Sequence, residues 1–170
     1  TDKKALVHQF SDFRDVYPSE NTITIPQIRY NTNDSWELLT GLDSGTGYPI
    51  LLRSGYGSGM LYVLTIPDNF GELDEYPAEI LNGIKKYMMK NFFVTTESAS
   101  DISLFVYDNN TFIVQSFKEH NSNVKIVVDG KFNTLVDMLS NRKLAGYKKY
   151  GKTVFETNMM PHNYQVFRAE

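Results

Sequence analysis

Carboxyl side chains crowd one short stretch of the sequence: Asp68, Glu72, Asp74, Glu75 and Glu79. Two carboxyls standing about 5–9 Å apart across a sugar site, one protonated and one ionised, can cleave a glycosidic bond. The same residues also suit a helix start, where negative charge meets the positive end of the backbone dipole. Pro77 and a helically spaced apolar series follow directly, so the dipole reading is the simpler one. A calcium loop would need a denser run of oxygen donors. His8, His120 and His162 lie far apart and lack the spacing of metal ligands. The chain has no Cys, which excludes thiolate catalysis, disulfides and cysteine-zinc sites. It has no Gly-x-Ser-x-Gly elbow for a serine nucleophile. Gly55-x-Gly57-x-Gly59 leads into a strand, whereas a phosphate cradle leads into a helix N-terminus, so these glycines read as a turn. No catalytic residue, metal site or cofactor is therefore assigned.

Aromatic side chains are the suggestive feature. Phe, Trp and Tyr make up 14% of the sequence, and flat rings with polar tips suit the C–H faces of sugars. The competing role is burial in cores and interfaces, where Tyr and Trp cover large areas at modest entropy cost. Trp36, Tyr48 and Tyr56 are the candidates for exposed ligand contact, because each stands beside polar or Gly-rich turn sequence. The chain carries a net charge of -3 and no basic stripe, so nucleic acid is not an expected partner. The richest basic stretch, Arg142, Lys143, Lys148, Lys149 and Lys152, reads as a solvated loop. No apolar run approaches the length of a membrane span, and a membrane is not an expected partner either.

These residues are carried by two regions. Residues 1–93 mix strands with one helix. Thr22 to Tyr30 alternates around Ile23, Ile25 and Ile28, with Pro26 marking an edge or a bulge. Ile50 to Arg53 is a short strand. Met60 to Ile66 is almost continuously apolar, which predicts burial on both faces. Ile80, Leu81, Ile84, Tyr87 and Met88 then form one stripe of a helix over 77–91. Strand followed by helix predicts a partial α/β unit. Residues 94–170 contain no helix signal. Ile102 to Tyr107 and Thr111 to Phe117 flank Asp108-Asn109-Asn110, a tight hairpin. Val124 to Val128, Leu135 to Leu139 (a strand, with a helical turn as the alternative), Thr153 to Glu156 and Tyr164 to Arg168 complete an expected antiparallel β-sandwich. The fold class expected is α+β: a partial α/β unit followed by a small sandwich.

Three stretches of the second region carry a resemblance. Residues 103–114 read Ser-Leu-Phe-Val-Tyr-Asp-Asn-Asn-Thr-Phe-Ile-Val. Residues 135–140 read Leu-Val-Asp-Met-Leu-Ser, and 159–167 read Met-Met-Pro-His-Asn-Tyr-Gln-Val-Phe. Together they resemble the small all-β domain that closes many glycoside hydrolases, including β-galactosidase-like enzymes. The family's Gly after the Asp-Leu-Leu-Ser segment is Asn141 here, a residue that also tolerates the left-handed conformation. Residues 56–64, Tyr-Gly-Ser-Gly-Met-Leu-Tyr-Val-Leu, followed by Pro67, resemble the end of the glutamine-amidotransferase-like domain that precedes it in some of these enzymes. The resemblance implies that the paired carboxylates sit on an upstream barrel, so none is transferred to this chain. The chain opens at Thr1 without Met and is expected to be part of a longer protein. Its expected work is that of a non-catalytic structural or interaction module, with carbohydrate binding through exposed aromatics as the alternative. The expected partners are the upstream domains of the parent chain, with an oligosaccharide and a homo-oligomer as further ones.

Overall fold

The computed structural model describes residues 6–10, 13–17, 36–42, 48–98 and 100–170, with side chains from residue 50 onward. The chain divides into two compact units, Thr1–Lys85 and Lys86–Glu170. The predicted strand from Thr22 to Tyr30 lies outside the described residues.

The first unit holds a five-stranded sheet in the order β2-β1-β3-β4-β5. Its strands are β1 (Leu6–Phe10), β2 (Phe13–Tyr17), β3 (Trp36–Leu42), β4 (Tyr48–Tyr56) and β5 (Gly59–Leu64). Each neighbouring pair is antiparallel. The apolar run Ile50-Leu51-Leu52 lies buried in the middle of β4. A 3-10 helix (Phe70–Glu75) follows, and then α1 (Ala78–Met88). Helix α1 buries Ile80, Leu81 and Ile84, as the apolar stripe predicts, but Met88 at its last residue is 70% exposed.

Two expectations change here. An α/β unit pairs strands in parallel across a helix. Among the described residues every strand pairing is antiparallel, so β5 and α1 follow one another without a parallel crossover. The apolar run from Met60 to Ile66 is not buried on both faces either. Strand β5 is the last strand of its sheet, and Met60, Leu61 and Ile66 are 46%, 42% and 44% exposed.

The second unit is the expected antiparallel β-sandwich. One sheet has five strands in the order β11-β10-β14-β8-β7, the other four in the order β12-β13-β9-β6. The five-stranded sheet comprises β7 (Ile102–Val106), β8 (Thr111–Ser116), β10 (Thr134–Asp137), β11 (Lys143–Ala145) and β14 (Tyr164–Ala169). The four-stranded sheet comprises β6 (Val94–Glu97), β9 (Ser122–Asp129), β12 (Tyr147–Lys149) and β13 (Lys152–Met159). Period-2 alternation sends Phe112, Val114, Phe167 and Leu135 of one sheet, and Val124, Ile126, Val128 and Phe155 of the other, into a shared core. The rings of Phe112 and Phe167 lie 5.4 Å apart by centroid, and Phe93 stands edge-on to Phe112 at 6.2 Å, within the preferred range for aromatic pairs.

Gly146 alone separates β11 in one sheet from β12 in the other, so the chain turns a corner of the sandwich there. A Cβ at this position would lie 2.7 Å from the Val154 carbonyl oxygen and 2.8 Å from the Phe155 ring. Only glycine lets the backbone pass this close. The predicted hairpin forms between β7 and β8. Asn110 sits at φ 60, and Asn109 accepts the Thr111 amide hydrogen bond.

Candidate functional site

Each cluster named from the sequence has a definite place. Glu72, Asp74 and Glu75 lie on the 3-10 helix, and only Glu79 reaches the first turn of α1. The expected dipole role therefore falls to Glu79, because Tyr76 and Pro77 separate the two helices. Asn69 caps the 3-10 helix, its side-chain oxygen accepting the Gly71 amide at 3.2 Å. Tyr76 is buried with its hydroxyl unpaired, and desolvation, reinforced by the Glu72 charge, pushes its phenol well above the ordinary range. Gly57 and Ser58 form the two-residue loop of the β4–β5 hairpin, with Gly57 at φ 57, as the turn reading predicts.

Among the described residues, no group of three or more His, Cys, Asp or Glu side chains could hold a metal ion. His162 occupies the turn before β14 at φ 47, its Nε2 3.1 Å from a Glu119 carboxylate oxygen in solvent. Among the described residues no helix is long and apolar enough to cross a membrane.

The candidate aromatics divide between the two ends of one sheet. Trp36 opens β3 opposite Ser54, and Tyr56 closes β4 at the hairpin. These two backbone positions share one end of the sheet. Tyr48 opens β4 opposite Leu42, eight residues from Tyr56 and so roughly 26 Å away along an extended strand. Tyr56 is 76% exposed; the side chains of Trp36 and Tyr48 lie outside the description.

The basic stretch is not a solvated loop. Lys143 lies in β11, Lys148 and Lys149 in β12, and Lys152 in β13. The Lys148 ammonium donates to the Gly130 carbonyl at 2.5 Å and to Thr153 Oγ1 at 2.9 Å, and Thr153 donates in turn to the Phe132 carbonyl at 2.6 Å. Lys152 pairs with Asp129. The Gly130 and Phe132 carbonyls that hold Lys148, and the Asp129 carboxylate that holds Lys152, are distant in sequence and invisible in local composition. Tyr150 and Gly151 make the two-residue turn between β12 and β13 at φ 48 and 74. Tyr150 is 95% exposed there. A Gly after the aromatic was the only local signal for this turn.

The Leu-Val-Asp-Met-Leu-Ser segment is half strand and half turn. Asp137 ends β10, and its carboxylate accepts from the Leu139 amide at 2.9 Å and from the Ser140 hydroxyl at 2.7 Å. Burial pushes this carboxyl up, but the Ser140 hydroxyl, the Leu139 and Ser140 amides and the Arg142 charge together hold it below its ordinary value. Asn141 completes the turn at φ 58, the conformation its resemblance to a glycine position required.

Residues 93–169 match the family model described as "Probable glycosyl hydrolase, C-terminal domain". The matched range lies within the sandwich unit, Lys86–Glu170. Among curated proteins none matches the chain. A solved structure of the GH42 β-galactosidase Gan42B is similar at 12% identity and a TM-score of 0.39, over 98% of this chain and 21% of that one. The chain thus spans about a fifth of that protein's length.

Proposed function

We propose that the sandwich is the accessory C-terminal domain of a longer carbohydrate-active protein of the glycoside-hydrolase type, and that the chain itself performs no glycoside chemistry. The observation that supports this most is the coincidence of the family match, residues 93–169, with one compact unit that has its own core. Its partners are then the upstream domains of the parent chain, which it would cover and stabilise. For residues 1–93 the corresponding reading is the end of an amidotransferase-like domain, and it rests on the resemblance of residues 56–64 and Pro67 rather than on the antiparallel sheet they join. The test is an assay of the purified chain on a panel of aryl glycosides, with no turnover above buffer expected. Turnover abolished by Asp68→Asn or Glu72→Gln would overturn the reading.

A second reading, carbohydrate binding, is favoured by the exposed Tyr56 ring at the same end of the sheet as Trp36. Calorimetric titration with oligosaccharides would then show weak binding lost in Tyr56→Ala and Trp36→Ala. Tyr48→Ala, at the other end of β4, would leave it unchanged. A flat titration in the unsubstituted chain would dismiss it.

A further inference from the structure

The outer face of the five-stranded sheet in the sandwich carries an apolar row that runs across three strands and onto the turn after β10. Phe105 of β7 pairs with Ile113 of β8, and Ile113 with Val166 of β14. The Met138 amide donates to the Val166 carbonyl at 2.8 Å, which places Met138 next in the row. The opposite face of these strands supplies the core through Phe112, Phe167 and Leu135, so alternation turns this row outward. Phe105 and Met138 are 45% and 44% exposed. Tyr107 and Tyr164, in the rows on either side, are 50% and 51% exposed.

A solvated sheet face ordinarily carries polar side chains, and contiguous apolar surface on a monomer rarely exceeds a few hundred Å². At about 150–250 Å² for each large side chain, half-exposed Phe105, Tyr107, Met138 and Tyr164 offer on the order of 400 Å². That is about half of the roughly 800 Å² per partner in a standard interface. Ile113, Val166, Gln115 and the stem of Arg168 supply further area on the same face. The charge on the Arg168 guanidinium is met by Glu170, at 2.6 and 3.0 Å, so a second copy would meet no bare like charge there.

We propose that this face is a self-association surface, packing sheet to sheet against a second copy of the chain around a two-fold axis parallel to the strands and between β8 and β14. That axis reverses the strand order and keeps each row level. Phe105 then faces Met138 of the partner subunit, and a thioether against a ring is a favourable contact. Ile113 faces Val166 of the partner subunit. Thr111 faces Arg168 of the partner subunit, and Gln115 faces Tyr164 of the partner subunit, so donors oppose acceptors on both sides of the apolar row. An isologous contact requires this kind of self-complementarity. The inference is independent of the accessory-domain reading, since it concerns what the face meets and not what the parent does.

Sedimentation equilibrium on the 170-residue chain over a wide concentration range tests it. A monomer–dimer equilibrium is expected, with the dissociation constant raised at least about tenfold in Phe105→Glu and in Met138→Lys. Both substitutions are at exposed positions, and an unchanged far-ultraviolet spectrum, with an unchanged unfolding midpoint at concentrations low enough that every chain is monomeric, confirms that each variant folds. Mixing the two variants should restore dimers, because one contact then pairs Glu with Lys and the other remains Phe against Met. A chain that stays monomeric throughout overturns the proposal. So does a dimer indifferent to both substitutions, or one whose mixed variants fail to recover. A monomer whose Phe105 and Tyr164 resonances shift on adding oligosaccharide overturns it too, and gives the face to a glycan.

Discussion

The two sheets of the sandwich share one core yet present different outer faces. On the four-stranded sheet, Glu97, Lys125 and Glu156 stand in one cross-strand row, and Asn123 and Asn158 hydrogen-bond in the next at 2.9 Å. In the row beneath them Val154 is only 5% exposed, while Tyr147, its neighbour on β12, is 48% exposed. On the five-stranded sheet, the equivalent row from Phe105 to Met138 opens to solvent. Inner faces answer to packing and look alike. Outer faces answer to whatever lies beyond them, and here one carries rows of charged and amide side chains while the other carries an exposed apolar row.

The largest effect should ignore the difference between the sheets. Phe112→Ala in one sheet and Phe155→Ala in the other each empty a fully buried site, and each should cost about 3–5 kcal/mol in denaturant unfolding. Markedly unequal costs would mean the core belongs to one sheet more than the other. Gly146→Ala acts at the corner the sheets share. Its Cβ has no room against the Val154 carbonyl, and the expected loss is about 1–3 kcal/mol, read from the same unfolding curves.

A smaller effect separates the sheets by pH. Asp137, at the end of β10, has a lowered carboxyl pKa. Its contribution is therefore present above the unfolded-state value and is lost as pH falls through the folded-state value. Asp137→Ala should cost roughly 1 kcal/mol at neutral pH. The gap from the unsubstituted chain should close in acid, as thermal unfolding at a series of pH values would show. The smallest effect concerns the outer faces themselves. Lys125→Glu places three carboxylates in one row and should cost about 1 kcal/mol, weakening with added salt. Phe105→Glu should change unfolding of the monomer, read at low protein concentration, by less than about 0.5 kcal/mol.

Local chemistry made much of the sandwich legible. Asn109-Asn110 between two alternating runs specified a hairpin, and Asn110 takes the positive φ that such turns need. Asn141 stands where the resembled domain has Gly and takes a glycine-like conformation. Strands β6, β11 and β12 were not legible. They have only three or four residues, too few for alternation to register. The role of Lys148 was hidden because its carbonyl acceptor, Gly130, lies 18 residues away. The exposure of Met60, Leu61 and Ile66 was missed because an apolar run records that a strand can be covered, not that it is. The same blindness applies to Phe105 and Met138. Among the aromatic candidates, sequence could name Trp36, Tyr48 and Tyr56, but only register shows that Tyr48 stands apart from the other two.

The corner at Gly146 has a consequence for how the sandwich opens. Strands β11 and β12 lie at the edges of different sheets, yet one residue joins them. On the other side, residues 98–101 join edge strand β6 to edge strand β7. Edge strands are ordinarily the first to fray, and their amide protons the first to exchange with solvent. At Gly146, where the link is a single residue, β11 cannot lift from its sheet without pulling β12 from the other. Amide exchange at Leu144, which faces the core from β11, should therefore slow to the rate of whole-sandwich unfolding. The most exposed margin of the fold would open only when its centre does.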